Sequence, residues 1–145
     1  MPATQSTDTA WIVLGSNLGN RSRALQRLRD ELQQRGLVIE AASSEILTRA
    51  IGPRNQPDYH NQVLRVRSAA PLQPHQWLAL VKDVERAAGR KETYRWGPRV
   101  ADADILLLGQ HGEISVQEQD LVVPHLELHN RPFLARLLAE LGIRI

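Results

Sequence analysis

The 145-residue chain has no cysteine, one methionine, one phenylalanine and two tyrosines, and its charges nearly cancel. Each shortage excludes something. Without thiols there is no disulfide framework, thiolate nucleophile or cysteine-bound zinc, and the expected setting is reducing and cytoplasmic. His60, His75, His111, His125 and His129 have no spacing suited to a zinc cage. No apolar run approaches the roughly 18 residues of a membrane span, and the opening "MPATQSTDTA" lacks both a basic head and an apolar core. Eighteen Lys plus Arg against sixteen Asp plus Glu leave a formal charge of +2, too small to mark a nucleic-acid or membrane surface. The few aromatics also argue against a sheet that stacks RNA bases. The segment "LGSNLGN" carries Gly15 and Gly19 but neither the lysine of a P-loop nor the spacing of a dinucleotide fingerprint, so it reads as a strand-to-helix turn.

What is plentiful is arginine, sixteen of the eighteen cations. Guanidinium groups hold their charge and grip phosphate oxygens in pairs, although codon composition produces the same bias. The chain length suits one domain with its own core. Residues 1–9 are expected to be a disordered extension and 10–145 the domain. Apolar periodicity predicts a strand at 10–16, a helix carrying Leu25, Leu28 and Leu32 up to Gly36, and strands at 37–47 and 61–68. A second helix follows Pro74, with Trp77, Leu78, Val81, Val84 and Ala88 on one stripe and Gly89 as its stop. After the strand "ADADILLLG" comes a last helix with Asn130 as candidate cap, Pro132 in its first turn, and Leu134, Leu137, Leu138 and Leu141 on its apolar face. The order β-α-β-β-α-β plus a terminal helix predicts a ferredoxin-like α+β fold: an antiparallel sheet with helices on one face and long active-site loops.

The strand beginning "ADAD" poses the chemical question. Residues two apart on a strand share a face, with Cα atoms roughly 6.5 to 7 Å apart, so Asp102 and Asp104 project together while Ala101, Ala103, Ile105 and Leu107 are expected to face the core. A solvated sheet face would tolerate such a pair. The competing explanation is a divalent ion, because Mg²⁺ takes one or two carboxylates and completes its shell with water and substrate phosphates. Arg90, Arg95 and Arg99 lie close in sequence, Trp96 offers a stacking surface, and Gly97-Pro98 turns the chain into the strand. Carboxylates beside arginines and an indole describe a site for a nucleoside triphosphate with its metal.

Four segments in order, "LGSNLGNR", "NQPDYHN", "GRKETYRWGPRVADADILLLG" and "VVPHLELHNRPFLARLLAEL", resemble the successive signatures of the 6-hydroxymethyl-7,8-dihydropterin pyrophosphokinases of folate biosynthesis. The resemblance spans about residues 11 to 141. Its most specific parts are R-W-G-P-R followed by D-x-D, and P-H-x-x-x-x-N-R-x-F. It implies Mg²⁺-dependent transfer of pyrophosphate from ATP to the hydroxymethyl oxygen of the pterin, leaving AMP, by a monomer that binds neither nucleic acid nor membrane. Two Mg²⁺ ions would be held by Asp102 and Asp104. Arg90 and Arg99 would be catalytic, stabilising the transferring group. Glu85, Arg90, Arg95, Trp96, Arg99, Ile105, His125 and Arg131 would contact ATP. Thr48, Tyr59, Asn61, Trp96 and Phe133 would frame the pterin.

The chain departs from the family's usual pattern at several of these places. Glu92 stands where a second arginine is usual, Arg49 where a proline is usual, and Leu126 where a tyrosine is common. Ala101 and Ala103 replace leucines, which is expected to leave the core under the strand less filled. A divergent relative that binds a pterin or nucleotide with little turnover is the alternative expectation.

Overall fold

The computed structural model describes residues 5–17, 19–49, 58–89 and 101–145. The element order is β1 (Thr7–Ser16), α1 (Arg21–Gln34), β2 (Val38–Ala42), β3 (Ile46–Thr48), β4 (Tyr59–Leu72), α2 (Pro74–Ala87), β5 (Asp102–Leu108), β6 (Val116–Glu118), β7 (Leu121–Val123) and α3 (Pro132–Glu140). The main sheet runs β2-β4-β1-β5, with β3 also on β4, and every pairing is antiparallel. This is the ferredoxin-like α+β arrangement that the sequence predicts, except that α3 lies on the opposite face of the sheet from α1 and α2 rather than on the same one. β6 and β7 form a separate hairpin that composition did not announce, since three-residue strands carry almost no periodicity.

Local chemistry explains where the helices begin. The Asn20 side chain accepts the Arg23 N–H and starts α1, while Gly36, at φ +82°, takes the left-handed turn that ends it. α2 opens with Pro74 in its first turn, and the Gln76 side chain accepts the Gln73 N–H. α3 is capped by Arg131 rather than Asn130, because Pro132 fills the first helical position and fixes the residue before it as the boundary.

The sheet has two cores. On one face Ala10, Ile12, Leu14, Leu64, Val66, Ala103 and Ile105 pack against Leu25, Leu28 and Leu32 of α1 and Trp77, Val81 and Val84 of α2. On the other, Trp11, Val63, Leu106 and Leu107 pack beneath Leu134, Leu137 and Leu138 of α3. Burying each large apolar side chain contributes roughly 1.5 to 3 kcal/mol. Both alanines of the Asp102 strand are buried, so the face beneath it is closed.

Three expectations need correction. β1 starts at Thr7, inside the expected extension, because the Trp77 indole donates to the Thr7 carbonyl at 3.0 Å and the Thr7 hydroxyl accepts the Thr9 N–H. The strand expected at 37–47 is broken at Ser43–Glu45. There the Ser43 hydroxyl accepts the Val63 N–H and Gln62 donates to the Ser43 carbonyl, so side chains replace ladder bonds. Leu107 faces α3, not the α1/α2 core, because a bulge pairs Trp11 with Leu107 but Ile12 with Ile105, making Leu106 the extra residue and reversing the alternation.

Candidate active site

β5 is an edge strand, and its burial alternates through Asp102, Ala103, Asp104 and Ile105, with both aspartates half-buried and both neighbours buried. The two carboxylates therefore share one face, the face that carries α3. Register places Asp102 opposite Gly15 and Asp104 opposite Val13 on β1. On its other side Gly15 is opposite Asn61 of β4, and Asn61 is opposite Ile46 of β3. Opposed residues project together. One row across the sheet is thus Asn61, Gly15, Asp102.

Thr48, Tyr59 and Asn61 come together beside that row. Thr48 pairs with Tyr59, and the Asn61 amide donates to the Thr48 hydroxyl at 2.6 Å. Asn61 is only 6% exposed, so its carboxamide is held in one orientation. Phe133 reaches the same face from the first turn of α3, packed against the α3 core, with the Arg131 guanidinium 5.2 Å from its ring centre. Arg131 thereby stands beside the ring expected to frame the pterin, whereas the resemblance assigned it to ATP.

A cleft of about 260 Å³ opens along the outer edge of β5. Lys82, Ala103, Asp104, Ile105, Asp120, His125 and Leu126 are among the residues that line it. Ile105 and His125, both expected near ATP, are brought together here. The His125 N–H donates to the Leu106 carbonyl at 3.0 Å, which ties the segment after β7 to the free edge of β5. His125 Nδ1 accepts the Glu127 N–H, leaving Nε2 to carry the ring proton. Leu126 is 70% exposed over the cleft.

Glu85 does not line this cleft. It is 2% exposed, and its carboxylate accepts the Ala103 N–H at 2.8 Å, with Lys82 3.8 Å from the other oxygen. The bond falls between the two aspartates, so α2 fixes the strand that presents them. Helical spacing signals this burial: Glu85 is four residues after Val81 and three before Ala88, on the inward stripe. Sequence pattern alone assigned no place in the site to Gly15, which lies in the row between Asn61 and Asp102, or to Lys82, which lines the cleft. Gly15 lies within β1, as the strand expected at 10–16 has it, but its register with two strands distant in sequence is not written in local pattern.

Arg90, Arg95, Trp96 and Arg99, together with Glu92 and the rest of residues 50–57 and 90–100, lie outside the described residues. Among the described residues one trio has metal-ligand chemistry, the exposed His75, Glu118 and Asp120, of which Asp120 lines the cleft. It closes on itself: His75 Nε2 is 2.9 Å from Asp120 and 3.7 Å from Glu118. The hydrogen bond to Asp120 raises the His75 pKa above its ordinary value and lowers that of Asp120.

Comparison with known proteins supplies independent evidence. The family described as 7,8-dihydro-6-hydroxymethylpterin-pyrophosphokinase (HPPK) matches residues 11–142. The 2-amino-4-hydroxy-6-hydroxymethyldihydropteridine pyrophosphokinase of Bacillus subtilis is 34% identical over 133 residues, covering 91% of this chain and 77% of that protein. The protein of the same name from Haemophilus influenzae is 36% identical over 135 residues, 92% of this chain and 81% of its own length. The mitochondrial folate synthesis bifunctional protein of Arabidopsis thaliana is 33% identical over 138 residues, 94% of this chain but 24% of that longer protein. No helix among the described residues is long and apolar enough to cross a membrane. With its ferredoxin-like sheet and this match along nearly its whole length, the chain belongs to the 7,8-dihydro-6-hydroxymethylpterin-pyrophosphokinase family.

Proposed function

We propose that the chain transfers the pyrophosphoryl group of ATP to the hydroxymethyl oxygen of 6-hydroxymethyl-7,8-dihydropterin, for folate biosynthesis. The observation that carries this is the position of Asp104, which shares a face with Asn61, Gly15 and Asp102 and also lines the cleft at the β5 edge. A pterin over Thr48, Tyr59, Asn61 and Phe133 and a nucleotide in the cleft beside Ile105 and His125 would then meet at the two carboxylates.

In the step proposed, the hydroxymethyl oxygen attacks the β-phosphorus. The bond from that phosphorus to the oxygen bridging the α- and β-phosphates breaks, AMP leaves with that oxygen, and the hydroxyl proton is released. Catalysis of this kind asks for alignment and charge neutralisation, not a covalent nucleophile. Two half-buried carboxylates on one face are oxygen donors of the kind that Mg²⁺ prefers, so Asp102 and Asp104 would hold the two ions. Bound there, Mg²⁺ would neutralise the phosphates and lower the proton affinity of the hydroxyl. Asn61 would read the polar edge of the pterin, with the Tyr59 and Phe133 rings against its faces. The His125 Nε2 proton would face a phosphate oxygen. Arg90 and Arg99, with Arg95 and Trp96, would complete the nucleotide site. Residues 10–145 would act as one domain in the cytoplasm, and because one chain supplies every residue used, a monomer suffices.

The test is AMP formation from ATP, Mg²⁺ and the hydroxymethyl dihydropterin. AMP should appear with the unaltered protein and fall to background in Asp102→Ala. Equal AMP from both proteins, or none from the unaltered one, would overturn the proposal.

A further inference from the structure

Gly15 occupies the middle of the row that joins the two halves of the proposed site. Asn61 and Asp102 sit on the strands either side of it, so their Cα atoms are two strand spacings apart, roughly 10 Å. A side chain at position 15 would rise between them. A Cβ added there would come within 3.1 Å of Asn61 Oδ1 and 3.4 Å of the Tyr59 ring. The Asn61 carboxamide has little room to retreat, because its nitrogen is bonded to the Thr48 hydroxyl at 2.6 Å. The glycine is not needed for backbone conformation, since Gly15 is not among the positive-φ glycines and sits in a regular paired strand.

We infer that Gly15 is a positioning residue for the pterin, an assignment that presupposes the pyrophosphoryl-transfer function proposed above. Its missing side chain lets the Asn61 oxygen and the Tyr59 ring lean over the centre of the sheet. It also leaves an open floor along which the hydroxymethyl arm of a bound pterin reaches from Asn61 to Asp102. A methyl group at this position pushes the Asn61 oxygen off its line by a few tenths of an ångström and narrows that floor. It leaves the cleft at the outer edge of β5 untouched, because Gly15 is not among the residues lining it. The effect is therefore confined to one substrate.

The experiment is steady-state kinetics on Gly15→Ala, Asn61→Ala and the double variant, with thermal unfolding of each. Gly15→Ala should raise the KM for the pterin about tenfold, with kcat changing less. The KM for ATP should stay within about twofold, because the edge cleft is separate. In the Asn61→Ala background the added methyl should raise the pterin KM clearly less than it does alone, because the part of its effect that passes through the carboxamide is gone. A folded Gly15→Ala protein with unchanged pterin KM would overturn the inference, as would effects that simply multiply in the double variant. Loss of cooperative unfolding in Gly15→Ala would also overturn it, by making the glycine a requirement of the sheet. If the unaltered protein makes no AMP, the proposed function falls and this assignment goes with it, a result distinguishable from any difference among variants.

Discussion

Among the described residues the two faces of the sheet are covered to different extents, and the proposed site falls on the less covered one. α1 and α2, fourteen residues each, run about 21 Å and close their face with a continuous apolar layer. α3 has nine residues, about 13.5 Å of helix, lying on strands as long as the ten residues of β1, which reach about 33 Å. It therefore covers Trp11, Val63, Leu106 and Leu107 and leaves the far ends of β1, β4 and β5 to carry Gly15, Asn61, Asp102 and Asp104. A closed face holds the fold. A half-covered face presents polar groups on a rigid floor.

That contrast breaks most sharply if substitutions on the two faces fail to separate activity from stability. Asp102→Ala or Asp104→Ala should lower turnover by about 10³-fold, the scale of several kcal/mol of lost charge stabilisation. Either should leave cooperative unfolding intact with a melting temperature close to that of the unaltered protein, because both side chains are half-buried and belong to neither apolar core. A drop in melting temperature would mean that the carboxylates serve the fold. Leu28→Ala, in the closed face, should do the reverse. It should cost about 3 kcal/mol in urea unfolding while turnover per folded molecule holds.

Glu85 sharpens the comparison because it acts from the closed face on the open one. Glu85→Ala leaves the buried Ala103 N–H without this acceptor and should cost about 1 to 3 kcal/mol, while Glu85→Gln, which keeps an acceptor oxygen, should cost less. Denaturant curves of the two variants would show it, and equal losses would argue against the strand-holding bond.

The smallest expected effect is a pH dependence at the cleft rim. The His75 pKa is raised by its bond to Asp120, so its stabilising contribution is present below 6.5 and is lost as pH rises through the folded value. The Asp120 pKa is lowered by the same bond, so its contribution is present above 3.8 and is lost as pH falls through its own folded value. This His75–Asp120 latch is accordingly firmest between those two ordinary values. NMR titration should place His75 above 6.5 and return it toward 6.5 in Asp120→Asn. No difference between the two proteins would remove the latch.

Local pattern made the paired aspartates legible, since side-chain direction within one strand needs nothing beyond the alternation of apolar neighbours. The order of strands and helices was legible for the same reason. What required the fold was anything set by register between distant segments: the Gly15 row, the bulge that turns Leu107 toward α3, and the Ser43 break. Glu85 stood between. Its place on the inward stripe of α2 could be counted from Val81 and Ala88, but its bond to Ala103 depends on how α2 lies against β5.

Two acidic groups compete to be the ion site, the Asp102–Asp104 pair and the His75–Glu118–Asp120 trio. Paramagnetic broadening of amide NMR signals by Mn²⁺ in the presence of a nonhydrolysable ATP analogue separates them. Signals of Gly15, Ala103 and Asp104 should broaden first, with the side-chain amide of Asn61 close behind. Broadening centred on His75 and Glu118, with Gly15 and Ala103 left sharp, would contradict the assignment of the metals to the half-covered face.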